Sequence, residues 1–131
     1  MIIGQAVLDQ LTEKAKASPK LRMNLDLRNS PEDMSQRMLN AIEPGSLMDI
    51  HRHQHTSETV VCLRGRVVEE FFDELDRICT DAIELSPGGP VVAVNVPIGQ
   101  WHRLRSLESG SVVLSCKDGP WEQLGHEDIL R

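Results

Sequence analysis

GSLMDIHRHQHTSETVVCLRG, residues 45–65 of this 131-residue chain, sets two imidazoles and a carboxylate between two glycines. His51 and His53 stand two apart, and Glu58 follows five residues on. Two imidazoles and a carboxylate are what a first-row divalent ion such as Fe, Ni, Mn or Zn accepts. In an extended strand, residues i and i+2 share a face and lie about 7 Å apart, so His51 and His53 can converge on one ion. Glu58 has the opposite parity to His53, so the chain has to turn or bulge between them, with Thr56-Ser57 the expected place. Downstream, Pro97-Ile98-Gly99-Gln100-Trp101-His102 offers a fourth ligand, because a Pro-x-Gly turn would aim His102 back at the first three.

The spacing of Gly45, His51-x-His53, Glu58 and Gly65 resembles the first signature of the cupin superfamily, with every fixed position filled. Chance would produce it in about 1 in 10⁵ chains of this length. Pro97, Gly99 and His102 resemble the second signature. That signature departs at its leading glycine, where Val91 stands, and at its closing asparagine, replaced by Ser106. Both departures touch turn or packing positions and leave the four ligand positions intact. Ala15-Lys16-Ala17-Ser18-Pro19-Lys20-Leu21-Arg22-Met23-Asn24, Gln36-Arg37-Met38-Leu39-Asn40-Ala41, Leu63-Arg64-Gly65-Arg66-Val67 and Lys117-Asp118-Gly119-Pro120-Trp121 are similar to the WbuC-type cupin metalloproteins. The similarity covers nearly the whole chain. It implies an all-β, cupin-type jelly-roll β-barrel, one divalent transition metal ion (Fe, Ni, Mn or Zn) and a homodimer. Members occur among bacterial surface-polysaccharide genes, which says little about substrate.

The length suits one domain with a single core. Hydrophobic residues make up 40%, but there are only two Trp and two Phe and no Tyr, so aliphatic side chains must fill the interior. A formal charge of −6, with no basic stripe, argues against a nucleic-acid partner. Cys62, Cys79 and Cys116 are an odd count, each inside an apolar run, and read as buried reduced thiols of a cytoplasmic protein. Nothing beside them resembles an activating pair for a catalytic cysteine. The N-terminus lacks a basic start and a long apolar segment, with Asp9 interrupting it, and no run approaches membrane-spanning length. The expectation is a soluble chain with no membrane partner.

Ile3, Val7, Leu8, Leu11 and Ala15 recur at helical spacing from Ile3 to Ala17, and Pro19 marks the stop. This predicts a helix on the outside of the sheet. Ser30-Pro31-Glu32-Asp33 reads as a capped helical turn. Short Val, Ile and Leu runs punctuated by Gly and Pro then predict strands at Gln36–Ile42, Leu47–His51, Glu58–Leu63, Arg66–Asp73, Arg77–Leu85, Val91–Val96, His102–Ser106 and Ser111–Lys117. Eight short antiparallel strands match a jelly roll. The organisation expected is an N-terminal helical segment over residues 1–35, a cupin barrel over 36–120, and a polar tail over 121–131 that covers an edge or frays.

His51, His53, Glu58 and His102 form the metal set. Three imidazoles and one carboxylate leave open positions in an octahedral site, as a catalytic centre does. The set His53, His55 and Glu58 is an alternative that breaks the cupin spacing. His51 and His55 are about 13 Å apart in a strand, too far to share an ion without a kink. His55 therefore reads as a rim residue. With Arg37 and Lys117, which lie in segments matching the family, it is a candidate for binding substrate. Trp101 reads as core, His126 as solvated, and Glu69, Glu70, Asp73, Glu74 and Asp76 as a solvated strand end. Two functions fit this pattern. One is a metal-dependent enzyme on a small polar metabolite such as a sugar derivative, an isomerase/epimerase or Fe-dependent dioxygenase. The other is a non-catalytic module that binds metal and a small-molecule ligand. An interaction protein with incidental ions fits less well.

Overall fold

In the computed structural model, which describes residues 1–130, one helix and ten strands follow one another. Helix α1 spans Gln5–Ala17. The strands are β1 (Arg22–Asp26), β2 (Ser35–Ile42), β3 (Ile50–His51), β4 (Glu58–Arg64), β5 (Val67–Phe72), β6 (Cys79–Leu85), β7 (Ala93–Val96), β8 (Trp101–Ser106), β9 (Ser111–Asp118) and β10 (Ile129–Leu130). A single 3₁₀ turn, His126–Asp128, precedes β10. Two five-stranded antiparallel sheets result, ordered β1-β2-β9-β4-β7 and β10-β3-β8-β5-β6. This is the expected all-β jelly roll with a short N-terminal helix.

Alternation along the strands divides the interior into two layers. Val60 and Cys62 of β4, Val67 of β5, Leu104 of β8 and Val113 of β9 meet between the sheets. Leu39 and Ala41 of β2 and Val112 of β9 face the other way and take Leu8, Leu11 and Ala15 of α1. Burying Leu8 and Leu11 contributes about 1.5–3 kcal/mol each. The helix thus lies outside the first sheet, as its apolar spacing predicts. It begins at Gln5 rather than Ile3, since Gly4 is extended and Ile2 and Ile3 are exposed.

Three local expectations are corrected. Residues 30–33 make one turn, closed by Asp33 N–H to Ser30 O, and no helix. The Asp33 carboxylate accepts from the Asn29 and Ser35 amides, which ends the turn at once. Strand β1 lies in the stretch read as helical. Its Met23 and Leu25 pack toward α1, while Arg22 and Asn24 line an inner pocket, so its apolar pattern is short and easily missed. Cys79 is exposed and Cys116 half-buried, so only Cys62 is a buried thiol. No helix among the described residues is long and apolar enough to cross a membrane. The tail does cover an edge: β10 pairs with β3, and Arg52 of the adjoining loop bonds to the Asp128 carboxylate at 3.1 Å.

Candidate metal centre

Each candidate ligand is placed by a separate backbone device. His51 on β3 and His102 on β8 are direct cross-strand partners in the second sheet. His53 lies just past β3, in a loop held by the Gly99 amide donating to its carbonyl at 2.8 Å. That amide belongs to the Pro97–Gln100 turn, closed by Gln100 N–H to Pro97 O, with Gly99 at φ +79°. Such a turn wants glycine at its third position. Glu58 opens β4 in the opposite sheet. The parity mismatch between His53 and Glu58 is therefore resolved by the chain crossing between sheets over residues 52–57.

The four side chains converge. One ligand atom from each lies within 4.8 Å of the others. Ring centroids of His51 and His102 are 4.4 Å apart, and those of His51 and His53 5.2 Å. Glu58 Oε1 lies 3.7 Å from His53 Nε2 and 3.6 Å from His102 Nε2. The other carboxylate oxygen, Oε2, accepts from the Ser115 hydroxyl and faces Lys117 Nζ at 3.6 Å. The Glu58 oxygens are thus sorted, one anchored and one presented to the imidazoles.

The imidazoles are sorted in the same way. His51 Nδ1 is 2.9 Å from the Asp49 carbonyl, which can only accept, so Nδ1 carries the proton and the neutral ring's Nε2 is bare. His102 Nδ1 lies 2.5 Å from Glu69 Oε1. The Nε2 atoms of His53 and His102 are buried and make no hydrogen bond among the described residues. Orphaned buried nitrogens are costly unless something occupies them. These residues fit a divalent transition ion. The donors are three nitrogens and one oxygen, with no thiolate among them. Cys62 Sγ is turned to the Arg64 and Gly65 carbonyls instead.

Burial dominates the electrostatics. It pushes His51 down to about 4, helped by His102, and His53 also to about 4 against the pull of Glu58. It lowers His102 too. The Glu58 carboxyl resists burial and is held near 2 by Lys117, His102 and the Ser115 hydroxyl. All four groups are therefore in their metal-ready protonation states at neutral pH. Glu69 goes the other way, raised to about 9 by burial and by its neighbours Glu58 and Glu70.

Glu69 and Glu70 correct the reading of a solvated acidic strand end. Glu69 is 1% exposed and points inward, against His102. Glu70 is buried on the outer face, where Arg103 donates to it at 2.9 Å and Arg105 at 3.3 Å. Sequence reasoning missed both, although Arg103 and Arg105, at i and i+2 within β8 and so on one face, could have signalled a carboxylate partner on the adjacent strand.

The centre sits in a pocket of about 410 Å³ that reaches the surface at Lys20 and Asn24. Lys117 lines it beside Glu58. Arg37 does not. Its side chain pairs with Asp33 at 3.2 Å and lines a separate, smaller cavity of about 160 Å³. His55 is exposed and lines neither cavity, and the centre forms without it. Trp101 is buried outside the pocket, with the Arg52 guanidinium 4.6 Å above its ring.

Residues 3–84 match the family model described as a domain of unknown function, DUF6016. No curated protein matches the chain. Solved structures share its fold. KdgF from Halomonas sp. is 18% identical, with 79% of this chain and 84% of that one covered and a TM-score of 0.61. CapF from Staphylococcus aureus, a capsular polysaccharide assembling protein, is 20% identical, with 81% and 28% covered and a TM-score of 0.59. Oxalate oxidase in complex with the substrate analogue glycolate is 12% identical, with 79% and 54% covered and a TM-score of 0.64. The chain thus spans about a quarter of CapF and half of oxalate oxidase. These neighbours establish the cupin fold.

Proposed function

The chain belongs to the family described as a domain of unknown function, DUF6016, so its activity has to be argued from the pocket, and we propose that it is a metal-dependent cupin enzyme acting on a small polar metabolite. The observation that carries this reading is the pair of buried, unpartnered Nε2 atoms of His53 and His102, facing Glu58 Oε1 at the base of a ligand-sized pocket. His51, His53, Glu58 and His102 would hold one Fe, Ni, Mn or Zn ion. Such an ion supplies Lewis-acid chemistry on a carbonyl or hydroxyl pair and, as iron, redox chemistry with O₂. The protein's own part is to hold the imidazoles neutral, fix the His51 tautomer through Asp49, and keep Glu58 ionised through Lys117 and Ser115. A sugar derivative is the substrate class we favour, with isomerisation, epimerisation or iron-dependent oxygenation as the reaction. Fold neighbours that assemble capsular polysaccharide or oxidise oxalate support an oxygen-rich ligand. We keep the WbuC type, a homodimer and a cytoplasmic setting within this proposal; three free cysteines suit a reducing compartment.

A non-catalytic ligand-binding module is the second reading, and one observation favours it. Within the pocket Glu69 is committed to His102 and Lys117 to Glu58, which leaves no free carboxylate or imidazole as general base. Phosphosugars and keto-acids, assayed with each of the four metals, separate the two. Turnover above that of His51→Ala supports the enzyme; saturable binding without chemical change overturns it and supports the module.

A further inference from the structure

The pocket wall opposite the second sheet carries a charge pattern that the metal centre does not explain. Lys20 and Arg22 line it beside Lys117, the partner of Glu58, in a chain whose formal charge is −6. The acids that line the pocket as a whole are Glu58 and Glu69, both engaged at the centre. Asn24 and Asn40 add amides to the same wall. Neither Phe nor Trp lines the pocket, and its only rings are the three imidazoles of the centre.

The backbone that displays this wall is itself strained. Leu21, between Lys20 and Arg22, has φ +56°, a left-handed conformation that costs a non-glycine residue about 1–2 kcal/mol. Four contacts hold it there. Leu21 N–H donates to Ser18 O, its carbonyl accepts from Glu43, the Ser46 hydroxyl donates to Lys20 O at 2.7 Å, and Arg22 Nη1 donates to Leu47 O at 2.8 Å. The last bond, with a weaker one to Ser46 Oγ at 3.3 Å, uses only Nη1. Nε and Nη2 of Arg22 make no hydrogen bond among the described residues, so the guanidinium is fixed along one edge and free along the other. An over-determined strained corner displaying two cations is the pattern of a ligand clamp.

We propose that the pocket binds an oxyanion: the ligand carries a carboxylate or phosphate that Lys20, Arg22 and Lys117 hold beside the four-residue centre. This deepens the function proposed above and rests on its pocket. Arg presents several donors in one plane and suits either anion, while Lys20 and Lys117 act as point charges. Met23, Ile42, Met48, Val60, Leu104 and Val113 form the apolar remainder of the lining, which suits a short carbon skeleton.

Isothermal titration of the protein as purified with D-glycerate, inorganic phosphate and neutral glycerol tests this, with metal content measured on the same samples. Glycerate or phosphate should bind at least about tenfold more tightly than glycerol, the scale of a charge-assisted contact. Which anion wins distinguishes a carboxylate ligand from a phosphate ligand. Lys20→Glu, at an exposed position where folding is safe, and Arg22→Gln should each erase most of that preference without changing metal content. Equal binding of glycerol and glycerate, or unchanged preference in both folded variants, overturns the proposal. A protein without metal that keeps an Arg22-dependent anion preference would sink the enzyme reading and leave this inference standing. Metal without anion preference would do the reverse.

Discussion

Glu69 is the residue whose environment departs furthest from what its chemistry prefers. A carboxyl 1% exposed, with Oε2 unpartnered and Oε1 against His102 Nδ1, is kept for what it does to that imidazole. For His102 to present a bare Nε2, Nδ1 must carry the proton, and Glu69 Oε1 is then the acceptor that holds the ring. The metal-free protein should show the opposing costs as pH dependence. His51 and His53 titrate at about 4 in the fold and near 6.5 unfolded, so the unfolded chain binds more protons and stability falls as pH drops through that window. Glu58, lowered from 4.5 to about 2, acts in the same sense at lower pH. Glu69 is raised from 4.5 to about 9, so its contribution is present at low pH and is lost as pH rises across that range. Between 4.5 and 6.5 two histidines outweigh one carboxyl; from 6.5 to 9 the loss from Glu69 remains. Urea unfolding of metal-stripped protein should therefore show maximal stability near pH 6.5, and Glu69→Gln should flatten the alkaline limb. An alkaline limb unchanged in that variant would show that the slope has another source.

At the scale of elements, the signature glycines are backbone requirements more than site chemistry. Gly65, between β4 and β5, sits at φ +82°, and a Cβ there would clash with Ser111 Oγ and meet Ser111 Cα at 2.8 Å. Gly65→Ala combines a left-handed penalty with overpacking and should cost on the order of 3 kcal/mol. The shift in urea midpoint measures it; a loss under about 1 kcal/mol would mean the two strands separate freely at this turn. Where elements could be read from sequence, a strong pattern carried them. Helix α1 has its apolar stripe, and β4 and β9 have apolar runs that meet a core on both faces. Strand β3 shrinks to two residues because only Ile50 and His51 find partners, on β8 and β10. Strands β1 and β10 escaped for a common reason: their pairing is written in other segments, through Ile42 opposite Arg22 and His51 opposite Ile129, not in their own composition.

On the scale of the whole molecule, the jelly roll brings to one point residues that no local window contains. The signature spacing alone groups His51, His53, Glu58 and His102, since each interval reflects a fixed turn or strand offset. It cannot place Lys20, Arg22, Asn24 or Glu69 at the pocket, because each reaches it through sheet order: β1 beside β2, and β5 beside β8. Of the three residues suggested for substrate, Lys117 lines the pocket, while Arg37 faces the other side of the first sheet and His55 stays outside both cavities. The enzyme reading depends on an ion occupying the centre. The most direct test is elemental analysis of untagged protein purified without oxygen, beside His102→Ala. The account predicts about one iron, nickel, manganese or zinc ion per chain, falling at least about tenfold in the variant. No transition metal in either protein, or equal metal in both, would contradict it.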